Sequence, residues 1–514
     1  MNASAPGGVE TRFVPPQTAE RPTAKLDANV RPAGWSNPAP SGRYNLAVIG
    51  GGTAGLIGAS IVATLGGKVA LIERQALGGD CLNTGCVPSK AIIRSSRICA
   101  ELRDAYMLGV ESGSAHADFA AVMERMRRIQ ARISQKDSAS RMQSLGVDVY
   151  FGGAHFTGKD TLDVNGHRLH FKKALIAAGS HPVIPGIEGL VAAGYLNNET
   201  VFDLTRLPRR LLVVGGGPLG CELAQAFHRL GSHVTIVQRE PQFLPQEERD
   251  AAQILSEALA RDGLAIHLNT EVVKVTRSGD EKTAHMVCAG KESSVTVDEV
   301  IAGAGRAPNV EGLRLEAANV AYDGERGVTV DDFLRTSNPR IYAAGDIIED
   351  SRFTHMAEAT ARIAVQNALF FGRKRLSSLT IPWCTYTDPE IAHVGMYTRD
   401  ARRRGIPVKT LTIPMNDVDR AIADGEEEGF VKVTIKDGTD RILGATIVAR
   451  HAGEMINEIT LAMVAGVGFK TLSNVIHAYP TQAEAVRHAA DAYQRTRLTP
   501  LLKRLTTRWL AWNR

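Results

Sequence analysis

The strongest chemical signal in the chain is a close pair of thiols, Cys81 and Cys86, in the segment GGDCLNTGCVPSK (residues 78–90). In a regular helix, positions five apart exceed the Cα separation of about 4.4–6.8 Å that a disulfide tolerates, so joining these two needs a distorted turn, which Gly85 permits. A bridge of that kind is reducible, and a reducible pair in an otherwise cysteine-poor chain points to redox chemistry. Zinc binding is the competing reading, but no second Cys or His pair at ligand spacing accompanies the first, so no resident metal is expected. Two structural cysteines are the plainer alternative. The other four, Cys99, Cys221, Cys288 and Cys384, are isolated. Six cysteines in 514 residues make no secreted disulfide framework, and no signal-peptide pattern opens the chain, so a cytoplasmic protein is expected.

The elements that must position this pair are legible from an internal repeat. LAVIGGGTAGL from Leu46 and LLVVGGGPLGC from Leu211 lie 165 residues apart, and the same offset relates VALIER (69–74) to VTIVQR (234–239). Each copy has a short aliphatic run, a G-x-G-x-x-G turn and a helical stretch. Gly50, Gly52 and Gly55 form the first turn, and Gly215, Gly217 and Gly220 the second. In this setting the first glycine permits the tight turn, the second lets backbone approach a pyrophosphate, and the third lets helix and strand pack closely. Glu73 ends the next strand of the first copy, where a carboxylate accepts hydrogen bonds from a ribose 2′-hydroxyl. The matching residue of the second copy is Gln238, followed by Arg239. Without the carboxylate a 2′-phosphate is not repelled, and a guanidinium can pair with it, so NADPH is expected there in preference to NADH. A merely solvated Arg239 is the plainer reading.

Alternating strands and helices around the repeat predict an α/β protein with two Rossmann-like nucleotide-binding domains and a C-terminal α+β dimerisation domain. Several further segments, ALIAAGSHP (174–182), GAGRAPN (303–309) and IYAAGDI (341–347), carry a resemblance. Together with the two glycine turns and the Cys pair they are similar to signatures of the class I pyridine nucleotide-disulfide oxidoreductases, the flavoprotein family that includes glutathione reductase, dihydrolipoyl dehydrogenase and mercuric reductase. The resemblance runs from about residue 44 to 495. It implies an N-terminal arm (1–43), an FAD-binding domain (44–190), an NAD(P)-binding domain (191–310), a return to the FAD or central domain (311–373), a dimerisation domain (374–495) and a C-terminal extension (496–514).

The resemblance also implies roles. Gly179 and Asp346 would join the first turn in holding FAD, with Asp346 on the ribitol, and Gly305 would join the second in holding NAD(P). Lys90 would sit near flavin N5, paired with Glu222. Hydride would pass from NADPH through FAD to the Cys81/Cys86 disulfide and on to a small acceptor, with Cys86 the charge-transfer thiolate and Cys81 the interchange nucleophile. The family's dimers complete each site from the other subunit, which would set Tyr479 and Glu484 opposite Cys81 and Cys86 of the partner subunit.

Tyr479 marks a departure. Relatives that exchange disulfides carry His before the Pro-Thr of this segment, whereas this chain reads HAYPTQAE, with Tyr479 before Pro480, Glu484 at the orienting place and His477 two residues upstream. A phenol with pKa near 10 is a poor base near neutrality, and imidazole near 6.5 is well matched. Tyr at this point resembles mercuric reductase, in which thiolates hold a soft metal ion as substrate. The adjacent cysteines that deliver Hg(II) in that enzyme have no counterpart in the closing WLAWNR, and the N-terminal arm carries no Cys. A mercuric reductase-like enzyme acting on thiol-bound Hg(II) or a similar small acceptor is therefore the expectation. A dihydrolipoyl dehydrogenase or glutathione-type reductase using His477 is the enzymatic alternative, and a flavoprotein redox sensor or electron-transfer partner the alternative of another class.

Charge separates the body from its end. The formal net charge is +5, yet no acid follows Asp491, and the last 23 residues hold Arg495, Arg497, Lys503, Arg504, Arg508 and Arg514. The preceding 491 residues thus sum to −1, with no footprint for nucleic acid and no apolar run long enough for a membrane span. Leu501, Leu505, Trp509 and Trp512 recur near a helical period, as in an interfacial amphipathic helix. Docking of these residues on a homodimer's interface domain is the alternative favoured here. The proline-rich first 43 residues are expected to be a flexible or extended arm.

Overall fold

The computed structural model describes residues 22–111, 113, 116–303, 305–348 and 353–514. The flexible arm expected over 1–43 lies outside the described residues as far as residue 21, and from there on it is corrected. Helix α1 (Pro22–Val30) packs against the later helix Phe119–Ile133. Val30 is buried, Asn29 Nδ2 donates to Ser134 Oγ at 2.8 Å, and Trp35 Nε1 donates to the Val149 carbonyl at 3.1 Å. Short and weakly patterned, α1 owes its place to these long-range contacts rather than to its own propensity.

The first unit is built on β1 (Arg43–Ile49), α2 (Thr53–Thr64) and β2 (Val69–Glu73). Two helices, α3 (Gly79–Asn83) and α4 (Cys86–Asp104), follow directly, and α5 (Phe119–Ile133) packs against α4. The sheet also takes β3 (Val147–Phe151), β4 (Ala154–Gly158), β5 (Thr161–Val164) and β6 (His167–Ile176), in the order β3-β2-β1-β6-β5-β4. Its centre, β3 to β6, is parallel, and the apolar runs of β1 and β2 are buried. Near-continuous aliphatic strands of this sort need cover on both faces.

The second unit is flanked by β7 (Ser180–Pro182) on entry and by a strand that pairs antiparallel with it on exit. Within it, β8 (Arg210–Val214), α6 (Pro218–Arg229) and β9 (His233–Val237) repeat the first unit's strand, helix and strand. Strand β10 (Ala265–His267) extends the parallel sheet, beside an antiparallel meander of β11 (Thr270–Ser278), β12 (Glu281–Cys288) and β13 (Lys291–Val297). Strand β14 (Glu299–Ala302) completes the order β10-β9-β8-β14, and β15 (Arg306–Pro308) is the exit strand. The chain then returns to the first sheet, where β16 (Ile341–Ala343) pairs with β6, and α7 (Thr354–Leu369) packs on α2.

The C-terminal part is a five-stranded antiparallel sheet of β17 (Pro382–Thr385), β18 (Glu390–Gly395), β19 (Val408–Pro414), β20 (Phe430–Lys436) and β21 (Ile442–Ala449), ordered β17-β18-β21-β20-β19. Helices α8 (Ala452–Val464) and α9 (Glu484–Thr496) cover it. Arg229 ties it to the second unit by donating to Asp262 Oδ2 and Asp388 Oδ2, both at 2.8 Å. The last element, α10 (Pro500–Trp512), has every residue exposed and no residue in any core cluster, so the docking expected on the interface domain is not made within the chain. No described helix is long and apolar enough to cross a membrane.

Candidate redox site

The two glycine turns have nearly superimposable geometry. Gly50 and Gly215 adopt φ of 110° and 109°, a left-handed region that favours glycine. A Cβ on Gly55 would sit 1.8 Å from the Gly50 carbonyl oxygen, and one on Gly220 would sit 2.0 Å from that of Gly215, so the third glycine is required by helix-to-turn contact in both copies. At Gly217 a Cβ would meet nothing within 4 Å, which leaves the turn open to a close-lying pyrophosphate. Both turns lead into a helix N-terminus, with its unpaired N–H groups and positive dipole end.

At the carboxyl ends of β1 and β2 lies a cavity of about 250 Å³, lined among others by Gly50, Glu73, Arg74, Gly152, Ala178 and Asn309. Glu73 is held on its wall, accepting from Gly51 N at 2.7 Å and Gln75 N at 2.6 Å. This is where the adenosine end of a dinucleotide binds in such a sheet, and the residues present fit it. In the second unit Gln238 is buried, and its Oε1 accepts from Gly216 N at 2.8 Å. Arg239 is largely exposed, 3.6 Å from Glu240.

Cys81 lies in α3 and Cys86 is the first residue of α4, so the pair bridges two helices rather than one regular helix. Gly85 makes the junction, at φ −141° and ψ −114°, where a Cβ would lie 2.8 Å from the Asp80 carbonyl oxygen. The sulfurs are free thiols that hydrogen-bond to each other. That bond divides them. Donation from Cys81 brings Cys86 down to about 6 against the opposing effect of burial, helped by Thr354 and Lys90. Cys81 is pushed up, first by the same hydrogen bond and then by burial. Thr354 Oγ1, at the start of α7, is 3.4 Å from Cys86 Sγ.

One turn along α4, Lys90 Nζ donates to Glu222 Oε2 of α6 at 2.8 Å and lies 4.6 Å from the centre of the Tyr386 ring. Glu222 is buried, and its other oxygen accepts from Tyr386 N at 2.8 Å. Burial works against the Lys90 charge, but the Glu222 carboxylate outweighs it and the ammonium is held above its ordinary range. A third cluster ties Asp346 to the redox helices. Ser180 Oγ donates to Asp346 Oδ2 at 2.9 Å, Arg306 Nε donates to Ser180 Oγ at 2.8 Å, and the same guanidinium pairs with Asp80, the residue before Cys81. Gly179 and Gly305, at φ of 69° and 97°, flank this cluster in sequence.

Cys81, Cys86, Lys90 and Glu222 are therefore brought together, with Asp346 linked to them through Ser180, Arg306 and Asp80. The C-terminal candidates are placed differently. Tyr479 is exposed and donates to Asp419 Oδ2 at 3.0 Å. Glu484 is buried, paired with Arg487 at 2.9 Å, and does not orient Tyr479. His477 Nε2 meets Glu458 Oε2 at 3.1 Å. Among the described residues no hydrogen bond or ion pair joins these three to the cysteines or Lys90, so His477 as a base within this chain's own site is not supported. Sequence reading missed Thr354, Tyr386, Ser180, Arg306 and Asp80. The acid directly before Cys81 and the Arg inside GAGRAPN were the available signals.

A two-unit dinucleotide fold carrying a thiol pair defines a flavoprotein reductase, and comparison with known proteins agrees. A family model for pyridine nucleotide-disulphide oxidoreductases matches residues 44–365, and one for the dimerisation domain of the same family matches 381–490. Mercuric reductase of Staphylococcus aureus is 33% identical over 454 residues, covering 88% of this chain and 83% of its own length. Dihydrolipoyl dehydrogenase of Thermus scotoductus is 34% identical over 458 residues, covering 87% and 97%. The HOCl-induced flavoprotein disulfide reductase RclA from Escherichia coli matches in structure with a TM-score of 0.79 at 28% identity, covering 87% of this chain and 99% of that one. A Cu(II) complex of the same protein matches at 0.78, also at 28% identity, over 86% and 98%. The chain belongs to the pyridine nucleotide-disulphide oxidoreductase family, whose members use FAD and NAD(P)H, and it carries that family's dimerisation domain.

Proposed function

We propose that this flavoprotein, as a homodimer, uses NADPH to reduce a thiophilic metal ion, Hg(II) or a similar soft cation, at Cys81 and Cys86. FAD supplies the acceptor for the nicotinamide hydride and the two electrons that open the disulfide. Lys90, held by Glu222, presents a fixed positive charge to that chemistry, and Asp346 binds the ribitol. Cys86 is the thiolate on the flavin side, favoured by the α4 N-terminus, the Cys81 thiol and Thr354. Cys81 faces the acceptor, and it releases its proton as the metal–thiolate bond forms. Overall, NADPH and one Hg(II) give NADP⁺, a proton and Hg(0); with a one-electron acceptor such as Cu(II), two ions are consumed per NADPH.

The observation that carries this reading is the poor proton shuttle at the C-terminal site. Tyr479 stands where disulfide reductases need a base, and its hydrogen bond to Asp419 raises its pKa further. His477 is occupied by Glu458. Metal reduction asks less of a base than release of a thiol does. That a structural relative is described as a Cu(II) complex supports a metal ion as a ligand of this fold. We assign Tyr479 and Glu484 to the site of the partner subunit. The preference for NADPH follows from Gln238 in place of a carboxylate and from exposed Arg239 beside it.

The test is NADPH oxidation by the holoenzyme with thiol-bound Hg(II), with Cu(II) free of added thiol, with oxidised glutathione and with lipoamide. Metal-dependent turnover lost in both Cys81→Ala and Cys86→Ala is expected. Faster turnover with either disulfide than with both metals overturns the proposal in favour of disulfide exchange, and no turnover with any acceptor favours an electron-transfer or sensing role.

A further inference from the structure

The redox chemistry leaves α10 unused. Residues 495–514 are all exposed, and the hydrogen bonds and ring contacts they make stay within α9, α10 and the turn between them. The helix is nevertheless well specified. Thr499 caps it by accepting from Leu502 N at 3.2 Å, and Pro500 occupies its first turn. A solitary helix of 13 residues is marginal in water, so one with such start signals and no packing partner among the described residues is suited to forming against an external surface.

Its faces show which surface. At about 100° per residue, Leu501, Leu502, Leu505, Trp509 and Trp512 fall within an arc of roughly 100°, while Lys503 and Thr507 lie opposite with Leu510 beside them, and Arg504 and Arg508 flank one edge. Trp509 and Trp512 are 60% and 77% exposed, with ring centres 5.5 Å apart. Every charged side chain after Asp491 is basic. Two such segments meeting across a twofold axis would oppose like charges, which argues against pairing with a second copy. An anionic surface with an apolar interior complements both faces at once, and paired tryptophans suit the boundary between headgroups and chains.

We infer that α10 is an interfacial helix that places this enzyme on the surface of an anionic lipid bilayer. It lies along the surface, with Leu505, Trp509 and Trp512 among the acyl chains and Lys503, Arg504 and Arg508 at the phosphates. The inference is independent of the acceptor reduced at Cys81 and Cys86.

Flotation of the full-length holoenzyme tests it, with vesicles of phosphatidylcholine alone and of phosphatidylcholine containing phosphatidylglycerol. Expected is recovery with the anionic vesicles at least about tenfold above the neutral ones, reduced by added salt. Trp fluorescence should shift to the blue on binding, a signal from α10 because Trp35 and Trp383 are hydrogen-bonded within the body. Two double variants, Leu505→Ala with Trp509→Ala, and Arg504→Gln with Arg508→Gln, should each lose flotation while oxidising NADPH at the wild-type rate. Equal recovery on both vesicle types, or flotation unchanged in either double variant, overturns the inference. So does a wild-type assembly larger than a dimer that the Leu505/Trp509 variant dissolves, which would give the helix to a second copy of the chain.

Discussion

Glu73 and Gln238 hold equivalent places in the two nucleotide-binding units, each turning a side-chain oxygen onto the middle N–H of its glycine turn, from Gly51 at 2.7 Å and Gly216 at 2.8 Å. The contact survives the change from carboxylate to amide, but the charge does not. Gln238→Glu restores the charge with the hydrogen bond intact. The KM for NADPH should rise by about tenfold or more while that for NADH changes little, since one unfavourable charge contact of about 1.4 kcal/mol is a factor of ten. Initial rates with both nucleotides measure it.

The hydrogen bond from Cys81 makes Cys86 the more acidic thiol. Because the Cys86 pKa is lowered, to about 6, its thiolate persists above that pH and is lost as pH falls through it. The long-wavelength thiolate-to-flavin absorbance of the two-electron-reduced enzyme should follow this titration. It should vanish in Cys86→Ala and remain in Cys81→Ala with its midpoint raised.

Thr354→Val removes a hydroxyl from Cys86 with little change in volume. The midpoint of the same absorbance should move to higher pH, the direction set by loss of a donor to the thiolate. An unmoved midpoint would show that Thr354 only packs there.

Glu222→Gln leaves Lys90 without its counter-charge in a half-buried setting. Flavin reduction by NADPH should slow by about 10²-fold in stopped-flow measurements, the scale of losing one preorganised electrostatic contact. Affinity for FAD should stay near wild type.

Arg229 sits between Asp262 and Asp388, with only 7% of its side chain exposed. Arg229→Ala strands the Asp388 carboxylate at the junction of the second unit and the C-terminal sheet, while Asp262 keeps Arg103 at 2.9 Å and Gln225 at 3.0 Å. Loss of about 3–5 kcal/mol is expected in urea unfolding.

The legible parts of this protein are those written in local spacing. The glycine turns, Glu73, Gln238 and the Cys pair are each defined within a few tens of residues, so their context can be checked on the sequence itself. Lys90 and Glu222 came through family resemblance, not spacing, since 132 residues separate them. Thr354 lies 268 residues from Cys86, and Arg306 lies 226 from Asp80, distances that only the return of the chain to its first sheet can close. Helix α1 was hidden for a related reason. Its nine residues have little amphipathic pattern, and their order comes from Ser134 and α5, both more than 85 residues away.

The Lys90–Glu222 contact joins a helix of the first nucleotide-binding unit to a helix of the second. Duplicated units suggest interchangeable modules, and this pair denies it. A chimera that grafts another second unit onto this scaffold, to change nucleotide choice for example, inherits its electrostatic setting at the thiols from the graft. Such a chimera keeps its redox poise only if the incoming helix carries an acid at the place of Glu222, which makes that one side chain the compatibility marker for recombining the two halves.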